Sequence, residues 1–310
     1  MIEIPAAFAR AKSADEGDRG RQWLAGLPGL VDDLLGRWNC TPDGDVLHGQ
    51  VGIVVPVKHS SHGPCVLKVS FPHPGNIYEP DAYAAWSGRG AVMLYERDDE
   101  SFAMLLERAH AQSLLGIADA DEAVSVAGRL SRRLAIAAPA AMPCLAERAC
   151  GWEKELRGAA SELTRTLPPR AIDKAAATVR EIGRAQPGLM VHGDFHGANI
   201  LRADREPWLA VDPKGYAGDP AYDVRMVVAW RPLRLLGPRD LPGALRRGLD
   251  VFADSAELDP VRVRRWAQFH AVHASLWGRR HGFRTPGRKS RSDLITEFAE
   301  RIVGPLTEMI

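Results

Sequence analysis

The chain predicts an α+β fold, with an antiparallel sheet in its N-terminal part and a mainly helical C-terminal part. Three observations predict this. From Val46 to Leu106, β-branched and apolar runs alternate with turn clusters. Beyond Glu107 the character changes to Ala-, Leu- and Arg-rich segments with helical spacing. The stretch Leu189 to Asp212 then interrupts those helices with two further short strand-like runs. The expected division is residues 1–108 and residues 109–310.

Each element has its own signal. Ala14 to Arg37 reads as a helix because Trp23, Leu24, Leu27, Leu30, Val31, Leu34 and Leu35 recur at helical spacing. Val51 to Val57 and Cys65 to Val69 read as strands joined by the turn cluster His59 to Pro64. Glu79 to Trp86 reads as a short helix. Ala91 to Tyr95 and Phe102 to Leu106 read as two more strands around the acidic turn Arg97 to Glu100. Helices are expected over Asp119 to Ala138, Trp152 to Leu167 and Ala171 to Ala185, with more after the Asp194 hairpin. Trp230, Trp266 and Trp277 fall in helical stretches and read as core residues rather than a ligand platform.

Composition bounds the function. The 310 residues are 45% hydrophobic and 25% charged, as in an ordinary globular chain. A net charge of +1 argues against a general nucleic-acid binder. The charge is uneven, with a net of −5 over 1–108 and +7 over 224–310. Solvated helix faces and a turn at Arg279 to Arg291 are the plain reading of the basic tail; docking of an anionic group is the sharper one. The four cysteines form no CxxC pair, which fits a reducing compartment. Residues 1–20 hold no apolar signal core, and Leu134 to Ala146 is too short to span a bilayer. A cytoplasmic monomer with no nucleic-acid or membrane partner is expected.

The chemistry concentrates in two places. His192-Gly-Asp194-Phe-His-Gly-Ala-Asn199 is followed by a turn at Ala203 to Pro207 and a run ending in Asp212. Three fixed letters alone are weak evidence, and Asp and Asn are common turn residues. The ordered set is stronger. Transfer of a phosphoryl group needs a carboxylate beside the acceptor hydroxyl and oxygen ligands for Mg²⁺. Asp194 suits the first task; Asn199 and Asp212, brought side by side by the hairpin, suit the second. His192 is expected to pack and hydrogen-bond beneath the loop. Upstream, Lys68 interrupts the apolar run Val66 to Val69, and an ammonium in a sheet needs anions. Nucleotide phosphates and Glu79 would serve. Lys, then Glu, then the Asp hairpin is the order of the kinase template. Gly49 and Gly52 offer a degenerate phosphate-covering loop whose rival reading is a plain hairpin turn. Glu107 to Ala109, where the last front strand meets the helices, is the expected hinge for a nucleotide base. Asp219 and Asp223 read as caps that stiffen the loop.

Those residues carry a family resemblance. The chain resembles the aminoglycoside phosphotransferases, in the branch of streptomycin 6-phosphotransferase and hydroxyurea phosphotransferase. The similarity includes Gly20 to Pro28, Gly52 to Val57, Gly88 to Val92, Met104 to Arg108 and, at greatest length, His192 to Asp223. It implies a protein-kinase-like two-lobed fold. It also implies an ATP- and Mg²⁺-dependent transfer to a hydroxyl, with GTP left open as donor. Carried over, Asp194 is the catalytic base, Asn199 and Asp212 are the metal ligands, and Lys68 binds phosphate, with Glu79 its partner. Gly49, Gly52, Glu107 and Ala109 complete the expected nucleotide site. The implied acceptor is an aminoglycoside, streptomycin first. The alternatives are hydroxyurea or another metabolite, or a nucleotide-binding pseudokinase that regulates without turnover.

Overall fold

The computed structural model describes residues 2–162, 167–229, 240–281 and 291–310. Trp230 and most of the Arg279 to Arg291 turn lie outside the described residues.

An N-terminal helix, α1 (Ala6–Arg37), lies against a sheet built from β1 (Cys40–Pro42), β2 (Leu47–His48), β3 (Gly52–His59), β4 (Gly63–Ser70), β5 (Leu94–Asp98) and β6 (Ala103–Glu107). The pairing is antiparallel throughout, in the order β1-β3-β4-β6-β5 with β2 on β3. The period-2 pattern of the sequence sets its two faces. Ile53, Val55, Val57, Cys65, Leu67, Val69 and Leu105 form a buried cluster with Leu27, Val31 and Leu34 of α1. Val66, Met104 and Leu106 point to the other face and join the larger core of the helical part. Lys68 therefore turns away from α1, toward the helical part.

The helix begins at Ala6 rather than Ala14 and breaks at Gly17 (φ +60°). Phe8 and Lys12 on its first segment are buried, and polar Arg, Lys, Asp and Glu around them hide the helical pattern. The strand expected at Ala91 to Tyr95 starts instead at Leu94 and runs to Asp98. Ala91 forms only an isolated bridge to Ala210. β5 is the sheet's edge, and an edge strand carries Glu96, Arg97 and Asp98 without burying them.

Helix α2 (Glu79–Trp86) sits between β4 and β5 in the chain, as expected. After β6 come α3 (Ala120–Leu134), capped by Asp119, then α4 (Leu145–Glu162) and α5 (Pro169–Thr178). A π-helical turn, Val179–Gly183, extends α5. Next come β7 (Leu189–Val191) and the hairpin of β8 (Ile200–Arg202) and β9 (Trp208–Ala210). β10 (Tyr216–Gly218), which the sequence pattern does not announce, pairs back on β7. The chain continues through a 3-10 turn, Pro220–Val224, into α6 (Arg225–Ala229), α7 (Leu241–Ala256), α8 (Pro260–His281) and α9 (Arg291–Glu308). Trp266 is fully buried, as its core reading requires, whereas Trp277 is 53% exposed. Basic residues of the described tail are spent largely on ion pairs, among them Arg264–Asp250, Arg279–Glu300 and Arg280–Glu162. Among the described residues no helix is long and apolar enough to cross a membrane.

Candidate active site

Lys68 is the first fixed point. Its Nζ donates to Glu79 Oε1 at 2.5 Å and to Asp212 Oδ1 at 2.7 Å. The Glu79 side chain is 1% exposed and opens α2, so the helix presents one carboxylate to the sheet. The two carboxylates explain how an ammonium is tolerated within an apolar strand. Burial disfavours the charged form of Lys68, but Asp212 and Glu79 outweigh it and raise its pKa. Asp212 is drawn below the usual carboxylate range, chiefly by Lys68, against the effect of burial. Glu79 moves the other way, because burial outweighs the nearby ammonium.

Asp212 has left-handed backbone (φ +58°), a conformation that a short polar residue enters at modest cost. Its N–H donates to the Tyr83 hydroxyl oxygen at 2.8 Å. Tyr83 lies four residues after Glu79 on α2, on the same helix face. The helix thus grips Asp212 twice, once directly and once through Lys68. Spacing alone does not reveal this contact, and Tyr83 is absent from the sequence-derived set.

The second fixed point is the loop after β7. Asp223 accepts the N–H groups of His192 at 2.9 Å and Gly193 at 3.0 Å. The expected capping role is what the geometry shows: one carboxylate ties down two successive amides of the loop. Gly193 has φ +81°, and a Cβ there would lie 2.6 Å from the Tyr216 ring. Only glycine fits. His192 is buried beneath the loop, with Nε2 3.0 Å from Val211 O and Nδ1 accepting the Asp194 N–H at 3.3 Å. That pattern requires a neutral ring, and burial pushes its pKa down to about 4. Asp219 caps the following 3-10 turn through the Ala221 N–H and also receives Arg262 and Trp266.

The Asp194 side chain stands at the loop's tip, 21% exposed. Arg225 Nη1, from the start of α6, donates to its Oδ1 at 2.7 Å, and His196 Nε2 lies 3.9 Å from the same oxygen. Sequence reasoning missed Arg225, which is brought to Asp194 only by the turn between β10 and α6. Asn199 Nδ2 donates to Asp194 O at 3.0 Å, leaving the carboxamide oxygen as its remaining acceptor. Val211 N–H donates to Asn199 O at 2.9 Å, so the β8–β9 hairpin sets Asn199 and Asp212 side by side.

These donors suit a hard divalent cation. Mg²⁺ takes oxygen ligands and is held by one or two carboxylates with substrate phosphates, not by a dedicated protein cage. Asp212 and Asn199 offer that kind of open set. Among the described residues no group of three His, Cys, Asp or Glu side chains forms a closed metal site.

The other sequence-derived residues are held by contacts of their own. Gly49 N–H donates to Gly52 O at 3.0 Å, closing the β2–β3 hairpin turn. Gly52 packs so tightly on β4 that a Cβ would be 2.4 Å from Val69 O, so its glycine is explained by sheet packing. Nothing lies within 4 Å of a Cβ at Gly49. The Glu107 carboxylate is engaged by Arg205 and the Met93 N–H, and its own N–H donates to Met93 O. Ala109 is half-buried against the large core.

Comparison with known proteins shows the family and the fold. The chain is 33% identical over 279 residues to a streptomycin 6-kinase of Streptomyces glaucescens, covering 89% of this chain and 91% of that one. It is 34% identical over 282 residues to a hydroxyurea phosphotransferase of Kitasatospora aureofaciens, covering 89% and 80%. Its fold is that of protein-kinase-like phosphotransferases. The crystal structure of a spectinomycin phosphotransferase with ADP and spectinomycin matches with a TM-score of 0.57 over 91% of this chain and 98% of that chain, at 11% identity. The family model for aminoglycoside/hydroxyurea antibiotic resistance kinases matches residues 37–282, and the chain belongs to that family of phosphotransferases.

Proposed function

We propose that this chain transfers the γ-phosphoryl group of ATP to a hydroxyl of a small antibiotic-like acceptor, with streptomycin the first candidate and hydroxyurea the second. One observation carries the reading. The Lys68–Glu79–Asp212 trio and the Asp194–Asn199 loop meet at the open end of one hairpin, where β8 begins and β9 ends. The first set suits anionic phosphates, and the second suits an acceptor hydroxyl.

The proposed roles are as follows. Asp194 orients the acceptor hydroxyl and takes its proton. Arg225 fixes the Asp194 carboxylate. Lys68, held by Glu79, reaches the nucleotide phosphates. Asn199 and Asp212 hold Mg²⁺, which supplies charge neutralisation on the phosphates. Gly49 and Gly52 cover the phosphates from the β2–β3 hairpin. Residues 1–108 form the nucleotide-binding lobe, and residues 109–310 carry the catalytic loop and acceptor site. Glu107 and Ala109 mark the hinge. The Glu107 side chain is engaged elsewhere, so the base there meets backbone groups. Catalysis is then positioning and electrostatics rather than covalent chemistry. A cytoplasmic monomer fits the composition. The acceptors are those named for relatives at 33% and 34% identity.

Mass spectrometry of streptomycin and of hydroxyurea after incubation with the protein, ATP and Mg²⁺ tests the proposal. A gain of one phosphate on either supports it. Unchanged masses, with no ADP formed, overturn it.

A further inference from the structure

The same cleft holds a second lysine that these roles leave unused. Lys214 follows Asp212 by two residues, and its N–H donates to His192 O at 2.8 Å. Its Cβ therefore starts beside the Asp194 loop, 3.2 Å from where a Cβ on Gly193 would stand. The side chain then crosses toward the sheet region. Its Cδ lies 3.6 Å from where a Cβ on Gly75 would stand, in the 3-10 turn Pro74–Asn76 that follows β4. The residue is half-buried. Lys68, not Lys214, is the cation bonded to both the Asp212 and Glu79 carboxylates. Among the described residues Lys214 forms no ion pair. A lysine so placed has no anion of its own among the described residues.

We infer that the Lys214 ammonium contacts the transferring phosphoryl group, and is a catalytic residue distinct from Lys68. The inference rests on the phosphotransfer reading above. Lys68 is bound to two carboxylates on the β4 side of the cleft. Lys214 arises between Asp212 and the Asp194 loop, where the transferring group must pass. In the step itself the acceptor oxygen bonds to the γ-phosphorus while the bond from that phosphorus to the bridging oxygen breaks. The bond's electron pair leaves with ADP, and the hydroxyl proton passes to Asp194. Lys214 exchanges no atom. It supplies positive charge to the equatorial oxygens, where charge collects in the loose transition state.

The test compares Lys214→Met and Lys214→Arg with the wild type. Calorimetry with Mg²⁺ measures affinity for ADP and for a non-hydrolysable ATP analogue, and needs no acceptor. In Lys214→Met, analogue affinity should fall about tenfold while ADP affinity stays unchanged, since only the analogue carries the third phosphate. With whichever of streptomycin and hydroxyurea the wild type phosphorylates, kcat should fall on the order of a hundredfold, and KM for ATP should rise about as much as analogue affinity falls. Lys214→Arg should recover much of both. Equal losses for ADP and analogue, or no loss for either, overturn the inference. Should Lys214→Met fail to fold by far-UV dichroism, the analogue-to-ADP affinity ratio of Lys214→Gln decides in the same way. Absence of transfer by the wild type to any acceptor would instead overturn the proposed function, and the binding ratio would still read Lys214.

Discussion

Asp194 carries the proposed chemistry, yet most of what holds it comes from elsewhere in the chain. Its N–H rests on His192, its carbonyl receives Asn199, and its carboxylate receives Arg225. Asp194→Ala removes the base but none of the backbone anchors. Turnover should therefore fall at least about a hundredfold, with nucleotide affinity and thermal midpoint nearly unchanged. Near-wild-type phosphorylation by that variant would end the assignment. Arg225→Met tests the positioning step. A carboxylate freed from its guanidinium samples other rotamers, and misplacement of about 1 Å costs up to ~10²-fold. Loss in kcat of ten- to a hundredfold with KM for ATP within about threefold is expected from steady-state kinetics. Equal changes in kcat and nucleotide affinity would place Arg225 in general folding instead. The sequence names Asp194 because its neighbours in the motif are local. It is silent on Arg225 because that contact spans 31 residues and depends on how β10 turns back on β7.

At the scale of elements, the β7–β9 segment is a rigid frame whose one buried titrating ring reports on its integrity. His192 donates to Val211 across the frame and accepts from Asp194 within it, so the ring must stay neutral. Its pKa is about 4 in the fold, pushed down by burial from a reference value of 6.5. Unfolding frees the ring to take a proton below about pH 6.5. The native state resists that proton until about pH 4. The ring's contribution to wild-type stability should therefore fall as pH drops from about 6.5 to about 4, by up to ~3 kcal/mol, and change no further below that. Gln at this position keeps an N–H for Val211 O but cannot titrate. Urea unfolding of wild type and His192→Gln across this range should show the difference between them shrinking or reversing in the variant's favour toward pH 4. A pH-independent difference would show that the ring is not kept neutral. This segment was largely legible, since strand-like runs flank polar residues at a fixed spacing. β5 was not, because its edge position lets Glu96, Arg97 and Asp98 replace the alternating apolar residues that mark an interior strand.

At the scale of the whole molecule, the site exists only while the sheet and the helical part stay in register. Lys68 comes from one and Asp212 from the other. The change from strand to helix near Glu107 was visible in composition; the ties across it were not, because they join residues far apart in the chain. Arg205, in the β8–β9 turn, is the densest of them. It donates to Gly88 O at 2.7 Å and Ala91 O at 2.8 Å, and its Nη2 reaches Glu107 Oε2 at 2.8 Å. Trp208 to Ala210 follows directly, with Ala210 N–H on Gly90 O and Val92 N–H on Ala210 O. Arg205→Ala strips two carbonyls and two carboxylates, those of Glu107 and Glu206, of a donor at once. Partly buried acceptors left unpaired cost about 1–3 kcal/mol, so the thermal midpoint should fall by several degrees. The more telling readout is functional. Arg205 lies at the hairpin turn, away from Asp194, so its loss should act by loosening the placement of Asp212 against Lys68. KM for ATP should rise while a saturated enzyme keeps most of its kcat. Arg205→Lys should rescue only in part, since a single ammonium cannot span the same set of acceptors as a planar fork. Unchanged stability together with unchanged KM would mean that the strand contacts of Ala210 hold the two parts in register without Arg205.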